Sequence, residues 1–376
     1  MKFRCDRDLL VKALSTAGRA AAAAAHSHWA GIHLSVVGDT LTAIGSDGDL
    51  LLSDTENVKG LEDGIAVVQA KIVVDVVRSL DLGMVEVDSS DEWFTVRSGR
   101  SEFRLQEVPA VSYPVPAETV GEEITLATAD LADGLKQVVR AASKDDSRAV
   151  LMGVKMTTED GSLRLVSTDT FRMAIRDFPG TKVFDEGEHV IVPSRALGEL
   201  ARLLEAGSDV TVVLSTDGAA FMVDSVRLQT KLIALEFPAY EGLLNADQPN
   251  QLTIDRVVFM DAVKRMRLMA QAETPLLLTL RTDSVELRVD APDVGVATEE
   301  IDAKYDGEEM VIGFKPEYLY EGLELISDDE VQLFMQGPLK PARLQSVSSQ
   351  DFRYILMPQK IPTGVGVGSR PAGEQF

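Results

Sequence analysis

Hydrophobic positions recur along this chain with two different periods. Six stretches place apolar residues three and four positions apart, a spacing typical of amphipathic helices. Their approximate limits are 7–19, 71–81, 129–144, 194–206, 255–272 and 315–327. Between them, short stretches such as Leu34–Val37 and Leu276–Arg281 alternate apolar with polar residues, which indicates half-buried strands. The order helix, strands, helix, strands occurs three times and predicts α+β domains built on antiparallel sheets.

Short sequence repeats support three tandem copies of one domain. Arg-Leu-Gln occurs at 104–106, 227–229 and 343–345, and Leu41, Leu163 and Val285 head similar alternating stretches. A period near 120 residues is too long for a solenoid unit and fits a whole domain. We therefore expect domains at 1–118, 119–246 and 247–361, with polar joints at 117–123 and 245–251. The remaining residues, 362–376, are rich in Gly and Pro, and a disordered tail is expected there.

Composition is that of a soluble globular protein. Hydrophobic residues make up 45% of the chain, and no apolar run approaches the roughly 20 residues that span a bilayer. The first residues are charged where a signal peptide is apolar, and the single cysteine, Cys5, suits a reducing compartment. The sequence predicts a cytoplasmic protein with no membrane partner.

The net charge of −23 argues against a protein that simply coats a polyanion. The charges are unevenly placed, however. The six helical windows hold 15 of the 37 basic residues and 12 of the 60 acidic ones, so they carry +3 while the rest carries −26. Basic residues also suit any exposed helix face. The alternative is that the helices share a face that meets a polyanion while acidic sheets face solvent.

No motif for catalysis or for a bound cofactor is present. The chain has no GxxxxGK[ST] loop, no GxGxxG after a strand, no HExxH and no CxxC. His26, His28 and His33 cluster near Trp29, but no carboxylate or cysteine completes a metal site, so incidental histidines are favoured. Asp47–Asp49 lacks the remaining ligands of a calcium loop and fits a strand-end turn. We expect no metal, no cofactor and no enzyme activity.

Five stretches of the chain carry a family resemblance. They are Met1–Phe3 with Asp8–Leu10, Ser98–Leu105, Thr168–Ala174, which matches TD-x-x-R-hydrophobic-A, Phe237–Tyr240 and Tyr354–Pro358. In this order and spacing they resemble the bacterial DNA sliding clamp, the β subunit of the replicative polymerase, over nearly the whole chain to about residue 361. The resemblance implies a head-to-tail homodimer whose six domains close a ring around duplex DNA. It also implies short peptide motifs as ligands, from the replicative polymerase, the clamp loader and repair polymerases.

Site residues follow from the resemblance by matching positions. The partner-peptide pocket would comprise Leu151, Thr168, Thr170, Arg172, Met173, Pro238, Leu243, Tyr318, Ile355, Leu356, Met357 and Pro358. The DNA-facing residues would be Lys71, Arg78, Lys136, Arg140, Arg148, Arg195, Arg202, Lys264 and Arg265. The dimer contact would place Phe103 and Leu105 of one chain against Leu268 and Met269 of the other. A mostly apolar groove with a few polar groups is what an anchored peptide requires.

The sequence departs from the family pattern at three places. Thr170-Phe171 stands where Gly-His is usual, and Gly242-Leu243 replaces a basic position after Phe-Pro-x-Tyr. Residues 20–28 lack the usual Arg-Pro of the first-domain loop. These departures leave open a specialised clamp paralogue, such as a repair scaffold or a drug-insensitive copy. A three-domain β-rich hydrolase is the alternative from another class, although no convergent polar set supports it.

Overall fold

The structure, a computed structural model, describes residues 1–21, 30–90, 92–109, 113, 117–126, 131–204, 209–244 and 247–361. The chain divides into two compact units. The first comprises residues 1–132 and 195–234, and the second comprises residues 133–194 and 235 onward. His26, His28, Trp29, most of the alanine run and the tail from 362 lie outside the described residues. The predicted domain limits at 118, 246 and 361 stay predictions.

The helices lie where the apolar periodicity predicts them, with small differences at their ends. They are α1 Arg7–Ala21, α2 Ala70–Ser79, α3 Leu131–Val139, α4 Ser194–Leu203, α5 Glu241–Leu244, α6 Arg256–Arg267 and α7 Pro316–Glu324. The short α5 was not predicted, nor was a 3-10 helix at Asp146–Met152. Helix α3 ends earlier than predicted because the N–H groups of Ala141 and Ala142 bond three residues back in tight turns.

The first unit contains two antiparallel sheets. The five-stranded sheet has the order β5-β1-β7-β8-β9, and the eight-stranded sheet has the order β10-β15-β16-β17-β4-β3-β2-β6. The strands of the first are β1 Lys2–Asp6, β5 Lys59–Glu62, β7 Met84–Ser90, β8 Trp93–Ser98 and β9 Ser101–Gln106. Those of the second are β2 Gly31–Val37, β3 Thr40–Ser46, β4 Leu50–Asn57, β6 Gly64–Gln69, β10 Glu122–Leu126, β15 Val210–Leu214, β16 Gly218–Val223 and β17 Val226–Lys231.

The second unit also contains two antiparallel sheets. The nine-stranded sheet has the order β14-β11-β12-β13-β26-β25-β24-β18-β22, and the four-stranded sheet has the order β21-β20-β19-β23. The strands of the first are β11 Gly153–Glu159, β12 Ser162–Thr168, β13 Arg172–Phe178, β14 His189–Pro193, β18 Asn250–Asp255, β22 Lys304–Asp306, β24 Glu330–Met335, β25 Ala342–Ser346 and β26 Phe352–Leu356. Those of the second are β19 Leu276–Arg281, β20 Ser284–Ala291, β21 Gly295–Asp302 and β23 Met310–Phe314.

The strand order shows the threefold repeat directly. Each copy has one group of strands in which three strands consecutive in sequence are neighbours in the sheet, namely β7-β8-β9, β15-β16-β17 and β24-β25-β26. Each copy also has a second set of four neighbouring strands, namely β6-β2-β3-β4, β14-β11-β12-β13 and β23-β19-β20-β21. Two helices connect the sets in every copy: α1 and α2, α3 and α4, and α6 and α7. The predicted α+β class with three copies is confirmed.

Neighbouring copies share sheets, which the sequence did not reveal. Strand β4 of the first copy pairs with β17 of the second, and β13 of the second pairs with β26 of the third. The strands in the corresponding positions, β21 of the third copy and β9 of the first, are edge strands among the described residues. The chain therefore uses the same strand pairing twice and leaves one equivalent strand unpaired at each end of the series.

This topology corrects one reading of the sequence repeat. The first two Arg-Leu-Gln tripeptides lie on β9 and β17, which are equivalent strands. The third lies on β25, and the strand equivalent to β9 and β17 is β26, Phe352–Leu356. The third tripeptide is thus one strand early. That offset explains why the proline after it comes so much later than in the other two copies.

The core of the first copy shows how the helices are held. Leu10, Leu14, Val73 and Val77 are fully buried between α1, α2 and the sheet. A Cβ on Gly45 would lie 1.9 Å from the Ala17 carbonyl oxygen, so only glycine lets β3 approach the helix backbone this closely. No helix in the described part of the chain is long and apolar enough to cross a membrane.

Candidate peptide-binding site

An apolar cavity of about 160 Å³ lies on one face of the nine-stranded sheet. It is lined by Thr168, Thr170, Arg172, Met173, Pro238, Leu243, Ile355 and Met357. All eight belong to the set predicted from the family resemblance, and all lie in the second compact unit. A small apolar recess with a few polar groups at its rim suits one large side chain of a bound peptide.

The turn between β12 and β13 forms one wall of the cavity. The Thr168 hydroxyl donates to the Arg172 carbonyl at 2.7 Å and accepts from the Thr170 amide at 3.0 Å. One carboxylate oxygen of Asp169 accepts from the amides of both Phe171 and Arg172 at 2.9 Å. Asp and Thr side chains that bond nearby amides stabilise such turns, so this wall is fixed by its own sequence.

Phe171 and Met357 extend the apolar surface beyond the cavity. The Met357 amide donates to the Phe171 carbonyl at 2.9 Å, which ties the chain after β26 to the β12–β13 turn. The Phe171 side chain is 58% exposed and that of Met357 is 37% exposed. Both side chains therefore leave apolar surface open to solvent next to the β12–β13 turn.

Arg172 supports the wall from beneath. Its side chain is only 7% exposed. Its guanidinium donates to Asp169 at 3.1 Å, to Tyr354 at 3.2 Å and also to Glu321, and it lies 4.3 Å from the centre of the Tyr318 ring. Glu321 and Tyr318 are on α7, so one buried cation links this helix to the turn. Losing it would remove the cation that pairs with the half-buried carboxylates of Asp169 and Glu321.

The opposite wall comes from the segment that follows β17. The rings of Phe237 and Tyr240 pack edge to face at 6.3 Å, and the Tyr240 hydroxyl donates to Glu159 at 2.7 Å. Burial and this hydrogen bond raise the pKa of Tyr240, so its hydroxyl keeps its proton at neutral pH. The Leu243 amide bonds to the Tyr240 carbonyl at 2.9 Å. Tyr240 thereby anchors the segment that carries Pro238 and Leu243.

Four predicted pocket residues do not line the cavity. Leu151 and Leu356 are buried, with Leu356 paired to Arg172 across β13 and β26. The Tyr318 ring lies against the Arg172 guanidinium, and its hydroxyl hydrogen-bonds to Asp169 of the β12–β13 turn. Pro358 follows Met357 at the outer end of the same segment. Their proposed contact with a peptide stays a prediction.

Most of the predicted DNA-facing residues are engaged in ion pairs within the chain. Lys136 lies 3.7 Å from Asp133, Arg202 lies 2.6 Å from Glu199, and Arg265 bonds to Glu299 at 2.9 Å. Arg140 pairs with Glu324, and Arg195 pairs with Asp47.

The remaining predicted DNA-facing residues differ from these. Arg148 bonds to the Asp169 carbonyl at 3.3 Å, and Arg78 bonds to the Ser15 hydroxyl at 3.2 Å. Lys71 and Lys264 are exposed and have no carboxylate partner among the described residues. Among the described residues, five of the nine cations therefore have an acidic partner, and four have none.

The predicted dimer residues lie next to the two unpaired edge strands. Phe103 and Leu105 are half-buried on β9. Leu268 and Met269 directly follow α6, and the Leu268 side chain is 83% exposed. A Cβ on Gly295, at the start of β21, would lie 3.5 Å from the Met269 methyl group, so this methionine borders β21.

The other sequence candidates have structural roles. One carboxylate oxygen of Asp47 accepts from the amides of Asp49 and Leu50 in the turn between β3 and β4, as expected for a strand-end turn. His33 is buried and its ring stacks on Tyr113 at 5.7 Å. Within the described ranges, no three His, Cys, Asp or Glu side chains are grouped as metal ligands.

Three α+β copies with shared sheets, paired helices and an apolar recess large enough for one side chain define the class of DNA clamps. Family models agree with this assignment over almost the whole chain. The N-terminal, central and C-terminal domains of the DNA polymerase III beta subunit match residues 1–117, 125–239 and 242–360. The chain belongs to the DNA polymerase III beta subunit family.

Similar proteins extend over the same length. The beta sliding clamp of Streptomyces coelicolor is 29% identical over 376 residues, with 96% of this chain and all of the relative covered. That of Bacillus subtilis is 25% identical, covering 95% of this chain and 99% of the relative. The DNA polymerase III subunit beta of Pseudomonas aeruginosa has a TM-score of 0.90 at 25% identity, covering 96% of this chain and 100% of that one. A Bartonella birtlesii sliding clamp bound to griselimycin has a TM-score of 0.90 at 26% identity, with the same coverage.

Proposed function

We propose that this chain is a DNA sliding clamp. Two copies close head to tail into a ring around duplex DNA, and the ring holds the replicative polymerase on its template without catalysing a reaction. Each copy contributes three domains, with limits near residues 118, 246 and 361. The clamp loader and repair polymerases use the same apolar pocket through short peptide motifs, and the protein works in the cytoplasm.

The unpaired strands β9 and β21 carry this proposal. Within the chain, β4 pairs with β17 and β13 pairs with β26, and β21 and β9 are the next pair in that series. An exposed edge strand is a template for pairing with another chain. If β21 of one chain pairs with β9 of a second chain, and β21 of the second pairs with β9 of the first, the two chains close as a ring.

Charge on these edges supports the same pairing. The β8–β9 hairpin carries three arginines, Arg97, Arg100 and Arg104, and one acid, Glu102, which pairs with Arg97. Strand β21 carries three acids, Glu299, Glu300 and Asp302, and no basic residue. Opposite charges on two edges favour their association and disfavour pairing of either edge with itself. The contact is therefore expected to be head to tail rather than head to head.

A ring also accounts for a DNA-binding protein with a charge of −23. Enclosure holds DNA without a large number of phosphate contacts, and weak contacts permit sliding. Five of the predicted lining cations already have carboxylate partners, which keeps such contacts weak. Acidic surface elsewhere repels DNA, so the lumen is the position of lowest repulsion.

Loading on circular and on linear DNA tests the ring. After loading by a clamp loader, the protein should remain on a nicked circle through gel filtration and leave the same DNA once it has been cut. Blocking both ends of the linear DNA with bound protein should restore retention. Equal retention on circular and open linear DNA would show that the protein binds DNA without enclosing it, and would overturn the proposal.

Peptide binding tests the pocket separately. Met357→Ala removes an exposed wall of the cavity, and we expect it to weaken binding of a polymerase-derived peptide roughly tenfold, as for a truncated anchor contact. Val347→Ala also removes an exposed apolar side chain of the second unit, and it should leave affinity unchanged. Fluorescence anisotropy measures both. Equal affinity of the Met357 variant and the unmodified protein would remove the pocket from the proposal while leaving the ring.

A further inference from the structure

Arg343 lies beside the peptide pocket on the same face of the nine-stranded sheet. Ile355, which lines the cavity, is paired with Met173 on one side and with Arg343 on the other. Residues paired across neighbouring strands point to the same face, with Cβ atoms about 5 Å apart. Arg343 therefore borders the wall of the pocket opposite to Met173.

Arg343 has no acidic partner in the part of the chain that the structure describes. Its guanidinium carbon lies 4.9 Å from the centre of the Phe334 ring, and its Nε is buried without a hydrogen-bond partner. The nearby Arg353 is paired with Asp177. Asp177 already accepts two hydrogen bonds from Arg164, at 2.6 and 3.1 Å, so it cannot also neutralise Arg343.

An uncompensated and partly buried arginine is costly in this setting. Acidic residues outnumber basic ones by 60 to 37, and the arginines of the predicted DNA-facing set mostly have carboxylate partners. Burial and the adjacent Arg353 charge lower the pKa of Arg343, which reflects the cost of holding a cation there. A carboxylate arriving at this position would relieve that cost, and it would form charged hydrogen bonds in a partly desolvated place.

We infer that Arg343 binds an acidic side chain of the partner peptide, next to the apolar residue that fills the pocket. The inference rests on the proposed function, because it needs a peptide in the cavity. One strand spacing, about 4.8 Å, separates Ile355 from the strand of Arg343. That distance is within reach of a Glu side chain that neighbours the anchor residue. The occupant is thus a peptide with an apolar anchor flanked by a carboxylate.

A charge-swap experiment on both partners tests the contact. The probes are three fluorescein-labelled decapeptides with a central Leu-Phe anchor. One has Glu directly before the anchor, one has Glu directly after it, and the third has Gln at both places. Each is titrated against the unmodified full-length protein, Arg343→Gln and Arg281→Gln. Arg281 lies on β19 and pairs with Glu286, so its variant makes the same charge change away from this strand.

We expect at least one Glu peptide to bind the unmodified protein about fivefold more tightly than the Gln peptide, a modest charged hydrogen bond. Arg343→Gln should abolish that preference and leave the Gln peptide unchanged, while Arg281→Gln keeps the preference. The inference is overturned if Glu and Gln peptides bind equally or if the preference survives in Arg343→Gln.

Two further outcomes distinguish an acidic-peptide site from a phosphate site and from a pocket that binds no peptide. If Arg343→Gln weakens binding of a 30-base-pair duplex and leaves the peptides unaffected, Arg343 binds phosphate and the acidic-peptide assignment is wrong. If all three peptides fail to bind the unmodified protein, the pocket is not a site for such peptides; the Arg343 inference then fails together with the pocket part of the proposed function, while the ring is unaffected. The Gln peptide serves as the reference for the pocket. If Met357→Ala weakens its binding and Arg343→Gln does not, the pocket binds peptide, and the comparison of Glu with Gln peptides then tests Arg343 alone.

Discussion

Thr170 has an unusual backbone conformation for its residue type. Its φ is +80°, in the left-handed region that glycine adopts readily and β-branched residues avoid. The turn holds it there through the bond from its amide to Thr168 and the Arg148 contact to its hydroxyl at 3.4 Å. The resemblance places glycine at this position in the family. Thr170 is therefore strained, and the strain lies on a wall of the pocket.

Replacing Thr170 with Gly should relieve this strain. A non-glycine residue in such a region costs about 1–3 kcal/mol, against roughly 1 kcal/mol for the extra chain entropy of glycine. We expect Thr170→Gly to raise the free energy of unfolding by up to about 2 kcal/mol, measured by urea denaturation. Thr157→Gly, at a buried strand position, is the control and should destabilise. A Thr170→Gly protein less stable than the original would show that the turn is unstrained.

Single residues also mark the limit of what the sequence could predict. The family resemblance predicts all eight cavity-lining residues, whereas the apolar periodicity predicts none of them as a group. The missing partner of Arg343 could not be foreseen, because it depends on the register of β25 against β26 and on Asp177 being occupied by Arg164. The sequence shows which charged residues are present, whereas the strand register determines which of them form ion pairs.

At the scale of elements, apolar periodicity located the helices but not the state of their charges. Windows such as 194–206 and 255–272 correspond to α4 and α6. The basic and acidic residues of all six helical windows sum to a net charge of +3. The structure pairs many of them with acids from other elements, for example Arg265 on α6 with Glu299 on β21. A charge count along the chain cannot separate a free cation from a paired one.

Lys71 on α2 should therefore contribute more to DNA binding than Arg202 on α4. Lys71 has no carboxylate partner in the described residues, whereas Arg202 is paired with Glu199. We expect Lys71→Gln to weaken binding of a 30-base-pair duplex at low salt and to reduce the salt slope by about 0.9 for each phosphate that is no longer neutralised. Arg202→Gln makes the same charge change and should have a smaller effect. A larger effect of Arg202→Gln would contradict the role assigned to free cations.

At the scale of the whole molecule, the repeat determines how the copies join. The sequence indicated three domains through short similar stretches, and it suggested polar joints between them. In the structure, however, β10 begins at Glu122 within the first joint, and β18 begins at Asn250 within the second. Neighbouring copies are also joined by strand pairing, β4 with β17 and β13 with β26. Such long-range pairing leaves no local signal in the sequence.

The same pairing predicts how the proposed ring opens. Leu268, beside β21, is 83% exposed, and we expect a partner's β9 to cover it. Leu268→Asp would bury an unpaired carboxylate in that contact, at a cost of several kcal/mol per interface. Sedimentation velocity should then show a species near the chain mass of 40.8 kDa, whereas the unmodified protein should sediment as a dimer.

Two controls make the dimer prediction specific. Val347→Asp places the same charge on another exposed apolar position of the second unit and should leave the dimer intact. The Leu268→Asp chain should still bind a polymerase-derived peptide, because the pocket lies within one unit, but it should no longer stay on circular DNA. A Leu268→Asp protein that remains dimeric and stays on the circle would mean that β9 and β21 are not the edges that close the ring. Retention by a monomer would contradict enclosure itself, since one copy leaves both edges of the series open.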